Sequence, residues 1–196
     1  MQGTHGRLAT LLFAGTAVQS SKKDASLTAC RLKKLRRPIK ILIRKHNGYL
    51  LEINDSELFA YFHSPRSAFR LARTLQKEFT GEKGMCSLRI GLHVGEVQIN
   101  KNQVYGNDVN IASRLMERAR PGGICLSQLV YQYVQNRTSA DIVSLGMCSL
   151  RNIDGKICLY AVLPKRGYSR FGLHRVFHQL ASHARSKEAG LWWRYC

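Results

Sequence analysis

Apolar and polar positions along this chain follow two periods, and the switches between them mark its elements. Leu8–Ala14 is a nearly unbroken apolar run, which predicts a buried strand. Ala25–Lys45 predicts a helix that is basic on its outer face, with Pro38 as a kink or break. Asn47-Gly48 is a turn signal between two strand-like runs within Tyr49–Phe62. Ser64-Pro65 opens another helix, with Ser as N-cap and Pro at the first helical position. Its apolar residues Ala68, Ala72, Leu75 and Phe79 are spaced 4, 3 and 4, giving one buried face.

The period then changes to two. Leu88, Ile90, Leu92 and Val94 alternate with Arg89, Gly91, His93 and Gly95, and Glu96–Asn100 continues as a second strand. A helix follows from about Asp108 to Arg120, stopped by Pro121-Gly122-Gly123. Val109, Ala112, Met116 and Ala119 form its apolar stripe, and Asn110, Arg114 and Glu117 lie on another face. Ile124–Leu126 is a short strand, and Ser127 caps a short helix to about Val134. Ile142–Leu145 and Ile157–Val162 are late strands. Helices alternate with strands, but hairpins also occur, so the fold class is an α+β sandwich with a mixed sheet.

Composition adds a charge problem to this globular outline. The 196 residues carry 31 Lys+Arg against 12 Asp+Glu, a formal net charge of +19. Such an excess raises nucleic acid or an anionic membrane as partners. Residues 1–45 hold eleven of the cations and one acid, and residues 165–196 hold seven cations and one acid. The stretch between holds 13 cations and 10 acids, so the excess sits in the two ends. No DNA-reading or RNA-binding motif is present in the basic head.

Six cysteines, none in CxxC spacing, fall largely inside apolar runs, where a thiol acts as a small hydrophobe. Free thiols in a reducing, cytoplasmic setting are the expectation. Leu8–Val18 after Arg7 mimics a signal peptide, but the strand reading is preferred because the rest of the fold needs that strand. No apolar stretch reaches the roughly 20 residues of a membrane span.

The candidate chemistry lies in Leu88–Glu117. A strand ends at Gly91-x-His93-x-Gly95-Glu96, a loop leads to Val104-Tyr105-Gly106-Asn107, and a helix carries Val109-Asn110-Ile111-Ala112-Ser113-Arg114. Pro121–Ser127, Leu150-Arg151-Asn152-Ile153, His46-Asn47-Gly48 and the helix over Arg66–Phe79 extend the pattern. Together these segments resemble the class III adenylyl/guanylyl cyclase catalytic domain over about residues 7–163. The resemblance implies a ferredoxin-like βαββαβ sandwich with a mostly antiparallel sheet. It leaves 1–45 divergent and basic, and 164–196 as a basic tail or linker.

The resemblance also implies a chemistry. A ribose 3′-oxygen attacks the α-phosphate of ATP or GTP, forming cyclic nucleotide and releasing pyrophosphate. Two Mg or Mn ions held by two aspartates assist it. Asn110 matches the family's ribose-orienting Asn, and Arg114 the Arg that stabilises charge on the α-phosphate. Four residues apart on a helix, both project from one face. Arg151 takes the place of a phosphate-binding Lys, and Glu52 and Gln103 match the base-reading pair. A Glu accepting from guanine and a Gln donating to its O6 lean towards GTP.

The metal aspartates are missing from this match. Gly15 stands where the first is expected and Ser56 where the second is, in Asp55-Ser56-Glu57. A one-residue slip would bring Asp55 into register but flip the strand's side chains. Without two carboxylates, a hard dication has little to hold it. Family members are head-to-tail dimers with sites at the interface, so this chain resembles the half that supplies Asn, Arg and base-reading residues. A homodimer, or a heterodimer with an Asp-bearing cyclase domain, are the partners implied.

Three functions are therefore open. The chain is a second-half-like or degenerate cyclase domain in intracellular signalling, an active adenylate/guanylate cyclase with carboxylates relocated to Asp55 or Glu57, or a polyanion- or membrane-binding module using its basic ends. In the tail, His174 and His178 are four apart but have no further metal ligand, and Val176, Phe177, Leu180, Trp192 and Trp193 make a basic amphipathic segment.

Overall fold

The structure is a computed structural model that describes residues 6–17, 36–79, 87–100 and 103–163. The expectations for the tail, its histidines and most of the basic head lie outside the described residues.

Strand β1 (Gly6–Ala17) leads to a helix α1, described over 36–45, and to the hairpin β2 (Gly48–Ile53) and β3 (Glu57–Phe62). Helix α2 (Pro65–Phe79) precedes the long strand β4 (Ser87–Asn100). A short β5 (Gln103–Tyr105), α3 (Asn107–Arg118), β6 (Ile124–Ser127), α4 (Gln128–Val134), β7 (Ile142–Ser149) and β8 (Lys156–Val162) complete it. The strands form one sheet in the order β2-β3-β1-β4-β6-β8-β7, with β5 paired to β4. The first four strands with α1 and α2 give the expected βαββαβ unit. Among the described residues only β4 and β6 pair in parallel; the other pairs are antiparallel.

Two sequence expectations change. The apparent division of β4 at Gly95-Glu96 does not exist, because β1 pairs with β4 continuously from Gly6↔Gln98 to Ala17↔Ser87. Ser127 ends β6 without a side-chain capping bond, and its hydroxyl is buried and unpartnered. Ser64, by contrast, does open α2: its Oγ accepts from Ser67 N at 3.5 Å. Asn47 takes the left-handed conformation (φ 56°) that its turn requires.

Each face of the sheet has its own helices. On one side, Ile39 and Ile43 of α1, Ala68, Leu71, Ala72 and Leu75 of α2, and Val130 and Val134 of α4 bury against Leu12, Ala14, Ile90 and Leu92. Each large aliphatic there contributes about 1.5–3 kcal/mol by leaving water. The buried Gln76 ties α2 to the sheet: its Nε2 donates to Leu88 O at 3.1 Å and Gly123 O at 2.8 Å. On the other side α3 is the one helix among the described residues, with Ile111, Ala112 and Leu115 buried. It lies so close that a Cβ on Gly91 would stand 2.3 Å from Met116 N. Glycine is the residue that permits this approach.

Candidate functional site

Two corners of the α3 face carry the residues singled out by sequence. The first joins the end of β1 to the β2–β3 turn. Gly15 lies directly opposite Glu57, and Thr16 N donates to Ser56 O at 2.9 Å. Asn54 locks the turn: its Oδ1 accepts from Ser56 N (2.9 Å), Glu57 N (2.7 Å) and Ser56 Oγ (3.3 Å). Leu58, Ala60 and Phe62 point into the core, so the register holds Asp55 at the exposed tip. The slip that would recruit Asp55 does not occur.

The space above Gly15 is filled. A Cβ added there would sit 2.7 Å from Sδ of Met116, a side chain only 7% exposed. A thioether from α3 therefore packs where an aspartate would have to stand. Glu57 is the one carboxylate facing this position from the neighbouring strand. Among the described residues no three His, Cys, Asp or Glu side chains converge to hold a metal. The donor set does not fit the divalent ions that the resemblance implies.

The second corner is cationic. The Arg114 guanidinium donates to Glu117 Oε1 one turn further along α3. Arg151, on the turn between β7 and β8, approaches the same oxygen at 3.9 Å, and Arg89 donates to Glu117 O at 3.3 Å. Two arginines thus share one carboxylate, and a third binds the main-chain carbonyl of the same residue. Their local excess of positive charge is the chemistry that receives a phosphate. Arg114 Nε is buried without a partner, so one guanidinium donor is left over. Asn110 stands exposed one turn before Arg114 on the same helix.

The base-reading pair is less gathered. Glu52 is exposed on edge strand β2, just after the bulge between Leu50 and Glu52. Gln103 begins β5, opposite Asn100, at the far side of β4. Strands β3, β1 and β4 separate the two.

Sequence reasoning missed a latch that sets α3. His93 Nε2 bonds Asp108 Oδ1 at 2.9 Å, while Asp108 Oδ2 accepts from Glu96 N at 2.7 Å. Burial pushes the His93 pKa down, against the opposing pull of Asp108. The imidazole is thus a neutral donor at pH 7, and Asp108 pins the first turn of α3 to β4. A histidine on the α3-facing side of an alternating strand was the available signal, since a buried polar group needs a partner.

Beyond α3 this face of the sheet carries aromatic pairs. Phe13 stacks on Phe59 with ring centroids 4.1 Å apart, and Tyr49 on Tyr61 at 4.7 Å. Tyr49 is 49% exposed.

Residues 59–164 match the model of the adenylate and guanylate cyclase catalytic domain. Over 171 residues the chain is 27% identical to "Putative adenylate cyclase 3" of Rhizobium meliloti, covering 81% of this chain and 29% of that protein. It thus spans less than a third of that relative's length. The crystal structure of an adenylate/guanylate cyclase/hydrolase from Silicibacter pomeroyi superposes with TM-score 0.70 at 29% identity, over 82% of this chain and 99% of that one. The adenylyl cyclase CyaB from P. aeruginosa shares the fold, with TM-score 0.67 at 13% identity, over 83% and 96%.

Proposed function

The chain belongs to the adenylate and guanylate cyclase catalytic domain family, and from that premise we propose that it is a half-site domain, which grips a nucleoside triphosphate but holds no metal. Domains of this family bind nucleoside triphosphates and form dimers. The observation that carries the proposal is the contrast around α3. Met116 fills the niche beside Gly15, while Arg114, Arg151 and Arg89 gather around Glu117.

Each residue then has a defined task. Asn110 presents its amide to the ribose. Arg114 and Arg151 leave Glu117 and take the phosphates, with Arg114 at the α-phosphate. Glu52 and Gln103 read the base, with guanine favoured. Glu117 is a built-in competitor for the anion, because a carboxylate must be displaced before phosphate oxygens reach both cations. The aromatic pairs Phe13–Phe59 and Tyr49–Tyr61 are the face on which a second cyclase domain docks. The partner that completes a site carries the two aspartates absent at Gly15 and Ser56. Residues 1–163 act as this domain, and 164–196 as a basic tail.

The test uses the purified chain with fluorescent GTP and ATP analogues, and a cyclase assay with Mn²⁺. Analogue binding is expected to weaken roughly 10–100-fold in Arg114→Ala, the worth of a charge-assisted hydrogen bond. No cyclic product is expected from the chain alone. Turnover abolished by Glu57→Gln would instead establish the second reading, an active enzyme with a relocated carboxylate. That reading draws on Glu57 lying directly opposite Gly15.

A further inference from the structure

The net positive charge of the described residues is concentrated on one side, because the cations elsewhere are balanced by acids. On α1, Arg36, Arg37, Lys40, Arg44 and Lys45 are exposed, while Ile39 and Ile43 are buried. On α2, Arg66, Arg70, Arg73 and Lys77 are spaced 4, 3 and 4, which places them in one stripe about 16 Å long. Both helices pack on the same sheet face. Their stripes meet near His46, whose pKa is lowered first by burial and then by Lys45 and Arg70, one from each helix. Arg137 joins Arg66 and Arg70 around a shallow dent floored by Phe69 and Val134.

These ten cations share their elements with one acid, Glu78. The remaining described acids lie on other elements, Glu52, Glu57, Glu96 and Glu117 among them. None of the ten takes part in an ion pair among the described residues. Stability does not require such a concentration of like charge, and self-repulsion opposes it. The stripes are also arginine-rich, seven to three, and guanidinium forks suit phosphate oxygens. The apolar faces of α1 and α2 are spent on the core, and Ile41 is the one large exposed apolar side chain among the described residues of either helix. A helix that lies in a membrane surface needs an apolar face free to insert.

We propose that the outer layer of α1, α2 and Arg137 docks the phosphodiester backbone of nucleic acid, independently of sequence. The surface is on the opposite side of the sheet from α3, so it is separate from the triphosphate site and stands or falls independently of it. It also relocates part of the charge assigned to the ends: five of the eleven cations in residues 1–45 belong to α1 of the folded layer.

The experiment measures binding of the full chain to a fluorescent 24-base-pair DNA duplex at several salt concentrations. The variant Arg66→Gln/Arg70→Gln/Lys77→Gln/Arg137→Gln removes four cations that hold no ion pair. Its slope of log affinity against log salt is expected to fall by about 3–4, with affinity near 0.1 M salt down roughly tenfold or more. Lys156→Gln on β8 is the control and should change the slope by about one at most. An unchanged slope in the fourfold variant overturns the proposal and assigns the affinity to the chain's ends. Vesicles containing phosphatidylserine are titrated in parallel, and a loss confined to vesicles overturns it in favour of a membrane surface. Circular dichroism melts check folding. Should the fourfold variant melt early, Arg70→Gln/Lys77→Gln replaces it, with a slope change of about 2 expected and none overturning the proposal.

Discussion

The two corners of the α3 face are built from the same sheet yet carry opposite chemistry. At the α3 corner, the helix is tied down by the His93–Asp108 latch and by its close approach over Gly91, and it carries Asn110 and Arg114 one turn apart. At the β1 corner, the backbone pairs Gly15 with Glu57 and bonds Thr16 to Ser56, but neither position 15 nor position 56 carries a carboxylate. The difference teaches that register and chemistry are separable. Main-chain pairing is enforced by the buried Leu58, Ala60 and Phe62, whichever residues occupy positions 15 and 56. The volume beside Gly15 is not empty, because an interior void forfeits contacts; Met116, flexible and polarizable, fills it.

The hardest way to break this contrast is at Gly91. Gly91→Leu drives a side chain into the backbone of α3 and is expected to cost about 3 kcal/mol, read as a fall in the urea midpoint. An unchanged midpoint would show that α3 is free to lift. The packed niche gives a smaller effect. Gly15→Asp alone should cost about 1–3 kcal/mol, and Met116→Ala in the same chain should recover part of it, a coupling of about 1 kcal/mol in a double-mutant cycle. Strict additivity would show that the two positions do not share the space.

The latch is sharpened by pH. Burial holds the His93 pKa below its ordinary 6.5, so the unfolded chain takes up a proton before the native one does. Stability should therefore fall as pH drops below about 6.5, with a smaller contribution of the same sign from the more exposed His46. His93→Gln should flatten that fall in melts taken from pH 7.5 to 5.5, and an unaltered profile would remove His93 from the account. The smallest effect is expected at Glu117. Glu117→Gln should tighten triphosphate-analogue binding a fewfold, since Arg114 and Arg151 lose their competitor. Weaker binding would mean that the carboxylate orients the arginines rather than occupying them.

Much of the fold was legible because it rests on periodicity. The spacing of Ala68, Ala72 and Leu75, the alternation from Leu88 to Val94, and the Asn47-Gly48 turn each correspond to an observed element. The boundary drawn at Gly95 failed because a strand paired along its whole length can carry a glycine that local reading treats as a break. In the candidate site, the helical partnership of Asn110 and Arg114 was legible for the same reason, being set by spacing four. Glu117, Met116 and the latch were not, since each acts through a residue brought close by folding.

By itself the sequence determined the alternation of elements, the cyclase pattern and the absence of carboxylates at positions 15 and 56. Those features are local, written in residue type and spacing. Only the tertiary structure decided what occupies the niche beside Gly15, which carboxylate the arginines share, and that α1 and α2 join their cations into one surface. Each of these is a contact between residues far apart in the chain, and sequence spacing carries no information about such distances until a core has closed around them.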